Sequence, residues 1–445
     1  MSTATSTCLP KVVGADTVVP LLDGGEVAYA NLDVAASAPA LQAVADRIAE
    51  VLPWYASVHR GAGYLSQVST ALYESSRREV ASFVGAREDD VAVITRNTTD
   101  STNLLASVVP GRTLVFDVEH HANLLPWQRN AHDATVVAAE KTIEGTLGQI
   151  DDELSAGGYA LLAVTGASNV TGEALPLDRV VALARRHGVR LFVDGAQLLA
   201  HRRLSLAETG VDYVAFSGHK LYAPFGAGAL VGRRDWLDEG PAYLAGGGAV
   251  RHVAADDVAW APAPARHEGG SPNVLGAVAL ATACEVLAGL DEDVVRRHED
   301  ELRERLLAGV AEIGGIEAPR LWEDSEGATA TVTLSVAGAD PGLLAAYLAA
   351  EHGIGVRDGR FCAHPLLERL GLPAGAIRAS FGLGTTTDDV DRLLAGLRGW
   401  VEDGPRGTYE IVNGCWAAAD DPRPLPLVTD GATLAATAAA CSQLD

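Results

Sequence analysis

Four uninterrupted apolar runs mark the middle of the chain: VAVIT (Val91–Thr95), TLVFDV (Thr113–Val118), ALLAVT (Ala160–Thr165) and RLFVD (Arg190–Asp194). None alternates with polar residues, the pattern of strands buried on both faces. Between the last two, LDRVVALARRHG (Leu177–Gly188) repeats at helical spacing. Val180, Val181, Leu183 and Ala184 share one side, and Gly188 after a basic last turn is a stop signal. Strand, helix and strand with short connections predict a right-handed crossover in a mostly parallel α/β sheet.

The texture changes near Glu285. EDELRERLLAGVAEIGG reads as helix, ATVTLSV as an alternating strand, GLLAAYLAAEHG as helix and IGVRDG as a further strand. DDVDRLLAGLRGWVED then closes a smaller α+β domain. The expected division is an N-terminal segment over 1–35 packing with the small domain, a large domain over 36–284, the small domain over 285–402, and an extension over 403–445.

Composition narrows the classes. With 445 residues, 48% of them hydrophobic, the chain can bury a large core. Its net charge of −24 and lack of a basic run exclude nucleic acid and anionic lipid as expected partners. The most apolar window, Val274–Cys284, is shorter than the roughly 18 residues of a membrane span. Five scattered cysteines without a CxxC pair argue against a disulfide framework and a structural metal site. No signal peptide is evident, so a cytoplasmic setting with reduced thiols is expected.

Candidate chemistry centres on DYVAFSGHKLYAPFGAG. A strand runs into Ser217-Gly218-His219-Lys220, where Ser217 and His219 can donate to a phosphate. An apolar setting would lower the Lys220 pKa and suit it to Schiff-base chemistry. A surface lysine on a loop is the alternative. Asp194 ends an apolar strand, where open α/β sheets bind ligands. It is either the partner of a pyridinium nitrogen or a helix cap. Gln197 and Asn169 can reach a phenolic oxygen on such a ring. Thr98 and Thr99 open a helix, as an anion cradle or as an ordinary cap. In EHHANLLPWQ, His120 can stack on a flat ring; a metal held by His120 and His121 is disfavoured, because adjacent residues do not readily face one ion.

Together these segments resemble the fold-type I, class V pyridoxal-phosphate enzymes, within them the SUF-type (group II) cysteine desulfurases and selenocysteine lyases. NLDVAASAPA, SVHRGAGYLS, TRNTTDSTNLLA, EHHANLLPWQ, SNVTG, VDGAQ, FSGHKLYAPFGAG, GGSPN, VRDGRFCAHP and IRASFGLGTT occur in family order from about Asn31 to Val401. The resemblance implies pyridoxal 5'-phosphate on Lys220, with Asp194 at its ring nitrogen and Gln197 and Asn169 at its phenolic oxygen. His120 would stack on the ring, while Thr99, the Thr98 backbone, Ser217 and His219 would hold the phosphate. Ser271 would complete the phosphate site from a neighbouring subunit, implying a homodimer with a shared site. Arg378 would clamp the substrate carboxylate, with Arg357 and His59 on the same side.

Arg357-x-Gly359-x-x-Cys362-Ala363-x-Pro365 fits the family's thiol loop. The resemblance implies that Cys362 takes sulfur from L-cysteine as a persulfide, releases alanine and passes sulfur to an acceptor protein. The chain departs from the family pattern around the substrate. His59-Arg60-Gly61-Ala62-Gly63 lacks a usual second histidine, Arg360-Phe361 precedes the cysteine, and His364 follows it. An aminotransferase, epimerase, C–S lyase or selenocysteine lyase on the same cofactor is therefore the competing expectation.

Overall fold

The computed structural model describes residues 8–59, 61–129 and 134–427. Arg60, Cys441 and the outer ends of both terminal segments lie outside the described residues. All four apolar runs are strands of one seven-stranded sheet. Its spatial order is Asp90–Thr95, Gly228–Arg233, Tyr213–Ser217, Arg190–Asp194, Tyr159–Thr165, Arg112–Phe116 and Ala134–Val137. Gly228–Arg233 runs antiparallel to both neighbours, and the other pairings are parallel.

Two apolar clusters explain the unbroken hydrophobic runs. Leu162, Val164, Leu191 and Val193 enter one cluster, while Leu161, Ala163 and Phe192 enter the other on the opposite face. Each of the larger side chains contributes about 1.5–3 kcal/mol when fully buried, and a polar residue on either face would forfeit it. The sheet is thus mostly parallel, and the carboxyl ends of its central strands bring Thr165, Asp194 and Ser217 close together.

Helix Val274–Ala288 is apolar on nearly all sides and packs against helices Tyr64–Phe83 and Gln42–Val51. It runs past position 284, because Leu287 still packs on the large-domain core. The chain turns only afterwards, and Asp291 caps helix Glu292–Ala311 through the Asp293 N–H.

The second sheet is antiparallel, in the order Ile316–Glu317, Thr331–Val336, Ala376–Ser380 and Arg357–Gly359. ATVTLSV alternates in sequence but not in exposure. Thr331 and Thr333 are as buried as Val332 and Leu334. The polar face meets the large domain instead of water: the Thr333 hydroxyl donates to the Val170 carbonyl at 2.5 Å. Near the N-terminus, Ala30–Asn31 pairs in parallel with Ile354–Gly355, and Ala30 and Leu32 enter the small-domain apolar cluster.

Beyond helix Thr387–Glu402, residues Tyr409–Val412 and Cys415–Ala418 form a hairpin against helix Pro341–His352. Buried Glu351 on that helix anchors the approach to it. Its carboxylate accepts from the Arg406 and Gly407 amides at 3.0 and 2.9 Å, from Arg406 Nε at 3.0 Å, and from the Tyr409 hydroxyl at 3.1 Å. Glu351→Ala leaves these donors without their acceptor, a loss of roughly 2 kcal/mol for charge-assisted bonds. Amide exchange in the hairpin should then accelerate by tenfold or more while the central sheet stays protected. Unchanged hairpin protection would show that something else holds it.

Candidate active site

At the carboxyl ends of the central strands lies a cavity of about 280 Å³. Large-domain loops form one wall; Arg357, Phe361, Cys362 and Arg378 of the small-domain segment form the other. Asp194 ends its strand there, and its Oδ1 accepts the Ala196 N–H at 2.9 Å. That bond closes a local turn, and the following single turn, Leu198–Ala200, starts after Gln197 with no side-chain cap. Burial raises the Asp194 pKa, opposed by the Ala196 bond and by Lys220.

Lys220 follows its strand through the single turn Gly218–Lys220. Gly218 is required by packing, since a Cβ there would lie 2.7 Å from the Ala227 carbonyl oxygen. Burial brings the Lys220 amine down to about 8, with Asp194 the main opposing charge. Desolvation therefore places the amine where a useful neutral fraction exists near neutral pH. His120 also lines the cavity, and its Nδ1 accepts the Ala122 N–H at 3.0 Å. The proton of the neutral ring consequently sits on Nε2. Burial, with Lys220 next in effect, holds the ring down at about 3, so it stays uncharged.

Helix Thr98–Val108 points its first turn into the same cavity. Asn97 Oδ1 caps the Asp100 amide, and Ser217 Oγ accepts the Thr98 amide at 2.8 Å. Ser217 Oγ also lies 2.8 Å from the Thr98 hydroxyl, so Thr98 and Ser217 are tied together at this end of the cavity. Thr98, Thr99, Ser217 and His219 line that end of the cavity. Burial lowers the His219 pKa, as does Lys220.

On the opposite wall, Arg378 Nη1 donates to the Asn169 carbonyl at 2.8 Å and Nη2 to Asp33 Oδ1 at 3.0 Å. Its Nε is buried without a partner. Burial lowers the Arg378 pKa, and Asp33 opposes this. Asn169 Nδ2 donates to the Phe361 carbonyl at 2.8 Å, and Gln197 Nε2 donates to the Ala35 carbonyl at 2.7 Å. Phe361 and Cys362 both adopt the left-handed conformation, with φ of 54° and 51°. Non-glycine residues rarely do so without being held. The Cys362 carbonyl accepts the His121 N–H at 2.8 Å, and the Arg378 guanidinium lies 5.4 Å from the Phe361 ring centre.

Two expected site residues lie elsewhere. His59 is exposed and bonds through Nε2 to Glu74 at 2.8 Å, while Ser271 is exposed; neither lines this chain's cavity. The sequence motifs assign no site role to Asp33 or Glu119, and Phe361 enters there only as a departure from the family pattern. Glu119 is buried beneath the site, accepting from Asn123 Nδ2 and the Thr165 N–H, and burial pushes its pKa up to about 8. Its place in EHHAN beside Asn123 was the available signal. His121 meets His364 edge-on with ring centres 4.5 Å apart, and its ring centre lies 6.3 Å from that of His120. Among the described residues, no group of three metal-ligating side chains is placed to hold an ion.

The donor set fits pyridoxal phosphate: a buried carboxylate, a neutral imidazole, a desolvated lysine, an open helix turn and an unpartnered guanidinium Nε surround one cavity. In cofactor-free protein, the rate of cofactor uptake should rise with pH and level off above about 8, as the Lys220 amine becomes neutral. Absorbance stopped-flow would check this; a rise continuing to pH 10 would contradict a desolvated lysine.

Known proteins resemble this chain over most of its length. The Aminotransferase class-V family model matches residues 30–393. A probable cysteine desulfurase of Vibrio cholerae is 33% identical, covering 86% of this chain and 95% of the relative. One from Pseudomonas aeruginosa is 38% identical over 82% and 92% of the two chains. Among solved structures, a cysteine desulfurase of Escherichia coli aligns with TM-score 0.74 and 31% identity, covering 83% of this chain and 94% of that one. The apo enzyme of Thermococcus onnurineus gives 0.76 and 30%, covering 84% and 95%. With the cavity, its lysine and this match across most of its length, the chain belongs to the pyridoxal-phosphate-dependent class-V aminotransferase family, alongside the cysteine desulfurases.

Proposed function

We propose that the protein is a cysteine desulfurase that converts L-cysteine to L-alanine and carries the sulfur on Cys362 as a persulfide. The observation that carries this reading is that Cys362, Lys220 and Arg378 line one cavity. Bound pyridoxal phosphate supplies an electron sink for the pair left at the substrate α-carbon. Asp194, His120, Gln197 and Asn169 would surround its ring, and Thr98, Thr99, Ser217 and His219 its phosphate.

The remaining steps belong to the chain's own residues. Arg378, oriented by Asp33 and the Asn169 carbonyl and left with an unpartnered Nε, is the group for the substrate carboxylate. Arg357 adds a second positive charge on that wall. Neutral Lys220 Nζ takes the α-proton. The Cys362 thiolate attacks the substrate sulfur; an S–S bond forms as the Cβ–S bond breaks. The electron pair stays on Cβ, which is protonated as alanine forms. A thiol of an acceptor protein then removes the outer sulfur. The reduced thiols of the cytoplasm suit this exchange. Among the described residues, no helix is long and apolar enough to cross a membrane.

A second copy of the chain is the proposed structural partner. Trp54, Tyr55, Tyr64 and Leu65 are exposed close in sequence to His59. The proposed contribution of Ser271 to the phosphate end of the other subunit requires such a dimer.

Cys362→Ala should abolish alanine and sulfide release from L-cysteine, measured with a thiol reductant, while the bound cofactor keeps its visible absorbance. Full turnover by the variant would point to another class-V reaction. Ser271→Ala should weaken cofactor retention about tenfold, although Ser271 lies outside its own chain's cavity; that corresponds to one lost hydrogen bond of about 1.4 kcal/mol. Equilibrium dialysis followed by absorbance reads this, and unchanged retention would remove the partner's proposed contribution.

A further inference from the structure

A second cavity, of about 260 Å³, lies between the domains behind the loop that carries Asn169. Its walls include Thr171 and Glu173 of that loop, Arg320, and Thr331 of the central small-domain strand. Arg303 and Leu307 reach it from the same face of helix Glu292–Ala311, one turn apart.

The acid and the cations here are unequally satisfied. Buried Glu173 accepts the Leu321 amide at 2.5 Å and the Trp322 amide at 3.3 Å, with Arg320 Nε at 3.8 Å. Arg303 forms no ion pair among the described residues, and its Nε is buried without a partner. Burial lowers its pKa; Glu173 opposes that and Arg320 adds to it. The Thr331 hydroxyl, on a residue only 1% exposed, is also unpartnered. Buried donors without acceptors carry the full cost of lost hydration, and both residues line this one cavity, where an acceptor would offset that cost. The missing group is an acceptor with negative charge. A planar guanidinium matches a carboxylate or a tetrahedral oxyanion.

We propose that this interdomain cavity binds a small carboxylate or oxyanion through Arg303, Arg320 and the Thr331 hydroxyl. The loop between the two cavities gives such a site a route to the catalytic wall. The Val170 carbonyl is held by Thr333, and the Gly172 carbonyl accepts the Thr329 N–H at 2.9 Å. Asn169, immediately before Val170 in the chain, holds Phe361 and Arg378.

The cofactor-loaded full chain is titrated separately with potassium sulfate and potassium malonate, at ionic strength held constant with potassium chloride. Melting temperature and amide exchange are followed. A saturable rise on the order of 2 °C is expected, with slowed exchange at 168–173 and around Thr331. Arg303→Met should raise the anion-free melting temperature and weaken half-saturation at least tenfold. Thr331→Val should also weaken it, and serves if Arg303→Met does not fold. Because Arg378 also attracts carboxylates, the response must persist in Arg378→Met. Response to malonate alone assigns an organic carboxylate, and response to sulfate assigns an oxyanion. The proposal is overturned if neither anion acts beyond chloride, if Arg303→Met or Thr331→Val binds like wild type, or if Arg378→Met abolishes the response.

Discussion

The site depends on how Asn169 joins the two domains. Its backbone carbonyl takes one edge of the Arg378 guanidinium, and its side-chain amide takes the Phe361 carbonyl. Both partners come from the small domain, whereas Asn169 follows a central strand of the large sheet. Without this contact the strand ends would still carry Asp194 and Lys220, but the anion clamp and the thiol would have no fixed relation to them. Each bond is worth on the order of 1 kcal/mol net, and more where the guanidinium charge assists. Their importance is geometric, since they set the reach of a short loop across a narrow space.

Charge is arranged around that contact as pairs that are only partly neutralised. Lys220 faces Asp194, and Arg378 faces Asp33, in surroundings that penalise every charge. Burial dominates each of these four shifts. Water removed from the cavity walls is thus replaced by fixed partners, which strengthens each remaining interaction. Glu119 belongs to the same economy of charge. Held near Asp194 and pushed toward its protonated form, it can keep the Thr165 and Asn123 bonds without adding a full negative charge beside Asp194.

Much of this was legible in the sequence, for definable reasons. Strands buried on both faces leave an uninterrupted apolar signature, so the parallel sheet was readable; Arg190–Asp194 has its expected bounds. The cofactor-side residues lie at strand ends within compact motifs, and the structure brings Lys220, Asp194, His120, Gln197 and Asn169 onto one cavity. What escaped depends on distant neighbours. ATVTLSV reads as a half-solvated strand because nothing local states that its threonines meet the Val170 loop. His59 reads as a site residue from its motif, and within the single chain its ring bonds to Glu74 of helix Tyr64–Phe83. Asp33 gains its role from an arginine 345 residues away.

The thiol loop shows why local reading stops short. Nothing in Arg360-Phe361-Cys362-Ala363 announces two consecutive left-handed residues, a conformation costing roughly 1–2 kcal/mol for each side chain with a Cβ. Glycine at either position would remove that cost and also the restraint, leaving the loop many conformations to lose. The observed solution keeps the side chains and ties both strained carbonyls to the large domain, through Asn169 and the His121 amide. Ala363 N–H then closes the loop on the Arg360 carbonyl at 3.0 Å. Three hydrogen bonds at about 1 kcal/mol each are of the same size as the strain they hold. The loop is therefore poised by its docking rather than by its sequence, and the Cys362 thiol owes its position to the interface that also orients Arg378.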